Sequence, residues 1–223
     1  MTMLFHDRAA GGRRLAERLE RYAGDPNLRV LALPRGGVPV GYEVATALGA
    51  PMDVAIVRKL GAPGHEELAM GAVAWNGVRV LNDEVVRHLH IDPRTIDRVT
   101  ARELEEVKRR EALFRGPRRQ LDVAGAIVIL VDDGLATGAT MKAAVLALRY
   151  EAPARIIVAV PVGAAATCDA LRSIADDVVC LYSPHDFSSV GLWYEDFEQT
   201  TDQNVRDLLE QAAIRGRSLA PSA

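Results

Sequence analysis

The stretch Ile127-Val128-Ile129-Leu130-Val131-Asp132-Asp133-Gly134-Leu135-Ala136-Thr137-Gly138-Ala139-Thr140 decides how this chain folds. The apolar run Ala126 to Val131 is continuous rather than alternating, so it reads as a strand buried on both faces of a parallel sheet. Two adjacent carboxylates end it, and a loop of small and hydroxyl residues follows. A helix then begins near Gly138, with Met141, Val145, Leu146 and Leu148 on or near one face of Thr140 to Tyr150.

Working outward, Leu28 to Leu33 and Arg155 to Val160 show the same unbroken apolar character, and Met52 to Val57 and Val178 to Leu181 show it more weakly. Helical patterns occupy Val38 to Leu48 and Ala164 to Ile174. Strands and helices alternating at this spacing imply right-handed crossovers and an α/β fold with a parallel sheet. Two regions depart from that plan. Ala72 to Leu81 alternates around Asn76-Gly77, a hairpin signal. Asp92-Pro93 then opens a long helix to about Phe114, with proline at N1 and mixed charges on its exposed face.

The chain has 223 residues, 49% of them hydrophobic and 26% charged, which suits one folded α/β unit. A formal net charge of −3 gives no general attraction to nucleic acid or anionic membrane. Cys168 and Cys180 alone make no disulfide framework and no zinc pattern, and Cys180 lies in an apolar run that reads as core. The longest uncharged run, Ile156 to Ala166, falls well short of the roughly 20 residues of a spanning helix. Asp7 and Arg8 interrupt the start too early for a secretory signal. These features predict a cytoplasmic protein without nucleic-acid or membrane partners.

The carboxyl edge of a parallel sheet is where α/β folds bind ligands. Amides at a loop and helix start suit a phosphate, and Gly134 and Gly138 permit close backbone approach. Thr137 and Thr140 add hydroxyl donors. Paired carboxylates repel a phosphate unless they face another part of the ligand, such as a sugar diol or a bridging Mg²⁺.

The segment resembles the 5-phosphoribosyl 1-pyrophosphate (PRPP) signature of the type I phosphoribosyltransferases. The resemblance implies that family's α/β fold, a parallel-sheet Rossmann-like core with a small hood and a helical and hairpin insertion. It assigns Asp132 and Asp133 to the ribose diol and to Mg²⁺, directly or through water. Gly134, Ala136, Thr137, Gly138, Ala139 and Thr140 go to the rest of PRPP, chiefly its 5′-phosphate. Leu33-Pro34-Arg35-Gly36-Gly37-Val38-Pro39 is similar to the family's pyrophosphate loop, which implies a cis Pro34–Arg35 bond and roles for Arg35, Gly36 and Gly37. Arg58-Lys59 resembles the basic pair at the base of the family's flexible loop, here a lid of about 58–71 with His65, Glu66 and Glu67. The resemblance makes Arg35, Lys59 and Glu66 the catalytic candidates, with Arg58 and Lys59 on pyrophosphate. Asp186 to Phe197 is similar in pattern to a base-binding hood, with Phe187 as the stacking candidate beside Val190.

One departure bears on activity. Hypoxanthine–guanine enzymes place an aspartate before the Thr-Gly step, where this chain has Ala136. With no base in the loop, Glu66 or Glu67 has to accept the proton. The implied function is Mg²⁺-dependent transfer of phosphoribose from PRPP to a nucleobase-like acceptor, with pyrophosphate released and a homodimer allowed. The alternatives are a PRPP- or nucleotide-sensing module without turnover, a PRPP synthetase-like chain, and an interaction protein. The expected organisation is a core over 1–182 carrying the lid and an insertion over 72–119. A hood segment and helix over 183–213 and a disordered tail over 214–223 complete it.

Overall fold

A computed structural model describes residues 4–219. The chain opens with helix α1 (Arg8–Arg18), capped by Asp7, whose Oδ1 accepts from the Ala10 N–H at 2.6 Å. Strand β1 (Leu28–Ala32), helix α2 (Gly37–Leu48) and strand β2 (Met52–Val54) follow. Then come the antiparallel strands β3 (Val57–Ala62), β4 (His65–Ala74) and β5 (Arg79–Leu81). Helices α3 (Asp83–His88) and α4 (Pro93–Arg115) lead back to the main sheet. Its second half is β6 (Ile127–Val131), α5 (Ala139–Arg149), β7 (Arg155–Val162), α6 (Ala165–Leu171) and β8 (Asp177–Tyr182). Helix α7 (Asp202–Leu219) ends the described chain.

The five long apolar runs form one parallel sheet in the order β2-β1-β6-β7-β8, flanked by a separate three-stranded sheet, β3-β4-β5. Leu28, Val30, Val128, Ile129, Leu130 and Ile156 to Val160 are fully buried, which is why those runs carry no polar alternation. From β1 the chain steps outward to β2; from β6 it steps the opposite way to β7 and β8. Right-handed crossovers therefore put α2 on one face and α5 on the other. The direction reverses between β1 and β6, which run side by side with Ala32 opposite Val131. Their carboxyl ends define the crevice where such sheets hold ligands.

The long helix begins on Pro93, with the Asp92 side chain accepting from the Thr95 N–H at 3.0 Å. Asn76-Gly77 turns β4 into β5 with Gly77 at φ +77°. Helix α7 runs to Leu219, so the stretch expected to be a disordered tail from 214 starts as helix; residues 220–223 lie outside the described residues. No described helix is long and apolar enough to cross a membrane.

Candidate active site

Both sequence motifs end at the switch point and touch each other. Leu33 N–H donates to the Val131 carbonyl at 2.9 Å, tying the end of β1 to the end of β6. The Pro34–Arg35 bond is cis, as the motif resemblance implies. Gly36 then passes so close to the acids that a β carbon there would stand 2.0 Å from Asp133 Oδ2. Only a glycine fits that approach.

Beyond Asp133 the backbone is pinned from the far side. Leu135 N–H donates to Val162 O at 3.0 Å, Ala164 N–H to Leu135 O at 2.8 Å, and Thr167 Oγ1 to Ala136 O at 2.7 Å. Gly138 takes the left-handed conformation at φ +69° and starts α5. The N–H groups of Ala136, Thr137, Gly138, Ala139 and Thr140 donate to no acceptor among the described residues. Four of these residues, all but Gly138, are exposed. An open set of amides at a helix start is an anion cradle.

The acids are held less completely. Asp132 Oδ1 accepts from the Asp133 N–H at 2.8 Å, and Asp133 Oδ2 accepts from Arg8 Nε at 2.8 Å. Tyr194 Oη donates to the Asp133 carbonyl at 2.6 Å. The two carboxyls also share a hydrogen bond with each other, and no further N–H or O–H of the described residues reaches Asp132 Oδ2 or Asp133 Oδ1. Burial, and then the neighbouring Asp133 charge, push the Asp132 carboxyl well above the ordinary carboxylate range. Burial also raises Asp133, against the opposing pull of Arg8. The two titrate as a pair.

The hood packs onto this cup from both chain ends. Val190 Cγ1 sits 2.6 Å from where a β carbon on Gly134 would be, so one base-binding candidate lies against the loop that follows the paired acids. Phe187, the expected stacker, is half-buried and lies parallel to Trp193 with centroids 6.5 Å apart. The aromatic ring beside the acids is instead Phe197, with the Arg8 guanidinium 3.7 Å above its centroid. The N-terminal segment completes the hood: Leu4 and Phe5 N–H groups reach Trp193 O at 3.1 Å, and Glu195 N–H reaches Phe5 O at 2.9 Å.

The segment expected as a mobile lid is a β-hairpin. Ala62 pairs with His65 across a tight turn at Pro63-Gly64, with Gly64 at φ +73°. Leu60, Ala62 and Met70 are fully buried, and β3 and β4 pack on α4 and α5. Glycine and proline in the sequence mark the two-residue turn rather than a loose loop. Arg58, expected on pyrophosphate, ion-pairs with Glu103 of α4 at 2.9 Å. Lys59 is exposed on the opposite face of β3. His65 and Glu66 lie exposed at the hairpin tip, with no hydrogen bond to Asp132–Thr140. Arg35 stays at the crevice, 3.5 Å from Asp202 at the start of α7.

Arg8, Tyr194 and Thr167 contact the motif without having been singled out in the sequence. An Asp N-cap before a pattern ending in Leu15, Ala16 and Leu19 was the available signal for α1.

A phosphoribosyl transferase domain model matches residues 3–195. The chain belongs to that family. Two curated Mycobacterium tuberculosis proteins, each named only provisionally as a phosphoribosyl transferase, are 47% identical over 94% of this chain. The match spans 47% of those proteins, so the chain covers about half the length of its curated relatives. The solved structure of TT1426 from Thermus thermophilus is 42% identical, with a TM-score of 0.83 over 94% of this chain and 99% of that one. AQ2163 of Aquifex aeolicus, 11% identical with a TM-score of 0.50 over 91% of this chain and 84% of that one, shares the fold. The parallel five-stranded sheet and flanking hairpin are thus the type I phosphoribosyltransferase fold.

Proposed function

We propose that this protein transfers the 5-phosphoribosyl group of PRPP to a nitrogenous base and releases pyrophosphate. The observation that carries the reading is the pairing at one crevice of two partly engaged carboxylates with five undonated backbone amides. Carboxylate oxygens suit vicinal hydroxyls, and free amides suit a phosphate dianion, so the two together suit a phosphorylated sugar. Asp132 and Asp133 hold the ribose diol; Gly134 and Ala136 to Thr140 hold the 5′-phosphate.

Arg35, with Gly36 and Gly37 and the exposed Lys59, is assigned to the departing pyrophosphate. Breaking the C1–O bond sends an electron pair to pyrophosphate and leaves positive charge on the ribose ring. A fixed cation at the leaving group stabilises the first, and the acids below the ring stabilise the second. Positioning supplies much of the remainder. The acceptor nitrogen attacks C1 and its proton passes to a base, a role we assign to Glu66 at the exposed hairpin tip. Val190 and the half-buried Phe187 border the acceptor.

Asp132 Oδ2 and Asp133 Oδ1 are hard donors of the kind Mg²⁺ accepts alongside substrate oxygens and water. No described cluster of three or more His, Cys, Asp and Glu could cage an ion. Mg²⁺ held by the two acids together with substrate oxygens would offset the pyrophosphate charge.

The test is pyrophosphate release from PRPP and Mg²⁺ across a panel of purine and pyrimidine bases. Turnover with one class of base, lost in a D132A/D133A variant, is the expected result. PRPP binding with no turnover on any base would favour a sensing role, and normal PRPP binding by the double variant would overturn the site.

A further inference from the structure

The cup has a component from outside both motifs. Arg8, the first residue of α1, is 125 residues from Asp133 in sequence, and its side chain is only 12% exposed. Three contacts fix it. Nε donates to Asp133 Oδ2 at 2.8 Å, Nη1 donates to the Glu198 carbonyl at 2.7 Å, and the guanidinium carbon lies over the Phe197 ring, 3.7 Å from its centroid. No other Lys, Arg or His hydrogen-bonds Asp132 or Asp133 among the described residues. Phe197 in turn lies against Tyr194, with centroids 5.1 Å apart, and Tyr194 Oη holds the Asp133 carbonyl.

An aspartate at a strand end has free rotation about its side-chain bonds, and ordering it for a ligand lowers affinity unless the protein does so beforehand. Here the backbone oxygen and one carboxylate oxygen of Asp133 are both engaged by hood-bound groups, leaving Oδ1. Resting on the phosphoribosyl reading, we infer that Arg8 is a positioning residue: it locks the Asp133 carboxylate so that Oδ1 takes a ribose hydroxyl, and ties that orientation to the hood. Sugar recognition then depends on an order set by the N-terminal helix and the C-terminal hood together. An arginine is required because two donors on different nitrogens and a flat face are used at once. A lysine ammonium supplies neither the fork nor the stacking plane.

The experiment compares ribose 5-phosphate with methyl phosphate, a monoester carrying no hydroxyls, by calorimetric titration of wild type, R8Q, R8K, D133N and R8Q/D133N. Thermal melts verify that each variant is folded. Wild type is expected to bind the sugar phosphate at least about tenfold more tightly than methyl phosphate, as one or two hydrogen bonds to a charged acceptor allow. In R8Q that preference falls to within about threefold, while methyl phosphate affinity stays within about twofold. R8K recovers only part of the preference, and R8Q/D133N is no weaker than D133N alone. An R8Q protein that keeps the wild-type preference, or loses both ligands equally, overturns the Arg8 assignment. So does an additive double variant. Wild type that shows no preference for the sugar would instead overturn the phosphoribosyl reading on which the inference stands, so the two failures are told apart.

Discussion

The main sheet carries aspartates in two places, Asp53 buried and Asp132 with Asp133 part-buried, and treats them in opposite ways. Asp53, in the middle of β2, accepts from Arg115 Nε at 3.1 Å, from the Val54 N–H at 2.8 Å and from the Leu121 N–H at 3.2 Å. Its ion-pair partner Arg115 is itself buried and also bonded to Glu111 at 2.8 Å. Asp132 and Asp133, two strands away at the end of β6, have one arginine between them, on Asp133, and otherwise lean on each other and on the Asp133 N–H. Buried carboxylates with every lone pair engaged are structure. Part-buried carboxylates with fewer donors are held at a disadvantage in the free protein, which under the proposed function a ligand bringing hydroxyls or a cation would relieve.

The strongest way to break this comparison is to open the closed site. Asp53→Asn removes the charge facing Arg115 and leaves that buried guanidinium to Glu111 alone. Loss of one partner of a buried pair costs about 3 kcal/mol or more. The urea midpoint is expected to fall accordingly with the slope unchanged, while PRPP affinity per folded molecule stays at the wild-type value. A loss of PRPP binding in the folded protein, without the stability loss, would show that Asp53 belongs to the site.

The second perturbation acts on the open site and runs in the other direction. Asp132→Asn keeps the side-chain oxygen that accepts from the Asp133 N–H but removes a charge that burial disfavours. The folded carboxyl titrates above its ordinary value of 3.8, so its contribution to stability is fully present below that pH and is lost as pH rises through the folded value. Ligand-free Asp132→Asn is therefore expected to be more stable than wild type at neutral pH by about 1 kcal/mol, roughly 2–4 °C in Tm. The gain shrinks toward pH 4, and PRPP binding is lost. A variant destabilised at pH 8 would place Asp132 in the same class as Asp53.

The contrast also explains what could be read from sequence. The Val131–Thr140 and Leu33–Pro39 segments were legible because each carries its chemistry within a few contiguous residues, at a strand end where the fold puts ligands. Arg8 was not, since its partner lies 125 residues away and the helix that aims it contains Gly11-Gly12, a poor helix-forming pair. Those glycines serve packing: a β carbon on Gly12 would stand 2.8 Å from the Val40 carbonyl of α2. The strands of the hairpin over 57–74 are hard to see in the sequence because turn residues are conspicuous in a string. The burial of Leu60, Ala62 and Met70, which decides that they belong to strands, depends on helices far along the chain. The place of Phe197 was hidden for the same reason, because nothing local to it shows where Arg8 lies.

The smallest expected effect sharpens the comparison by separating burial from partner count. Glu106, on the exposed side of α4, has two arginines: Arg109 at 2.7 Å and Arg110 at 2.7 Å. Hydrogen bonds from Arg109 and then Arg110 hold its carboxyl down at about 2, against an ordinary 4.5. The sign is opposite to that of Asp132. The contribution is present above pH 4.5 and is lost as pH falls toward 2. Arg109 is exposed and Arg110 partly so, and solvent screening leaves only about a few tenths of a kcal/mol. Glu106→Gln is expected to shift Tm by less than about 1 °C at neutral pH and moderate salt, by less still at 1 M salt, and by nothing near pH 2. If it matches Asp53→Asn, the number of arginine partners, rather than removal from water, governs how acids act in this protein. The open pair at Asp132 and Asp133 would then need a different explanation from the one burial gives.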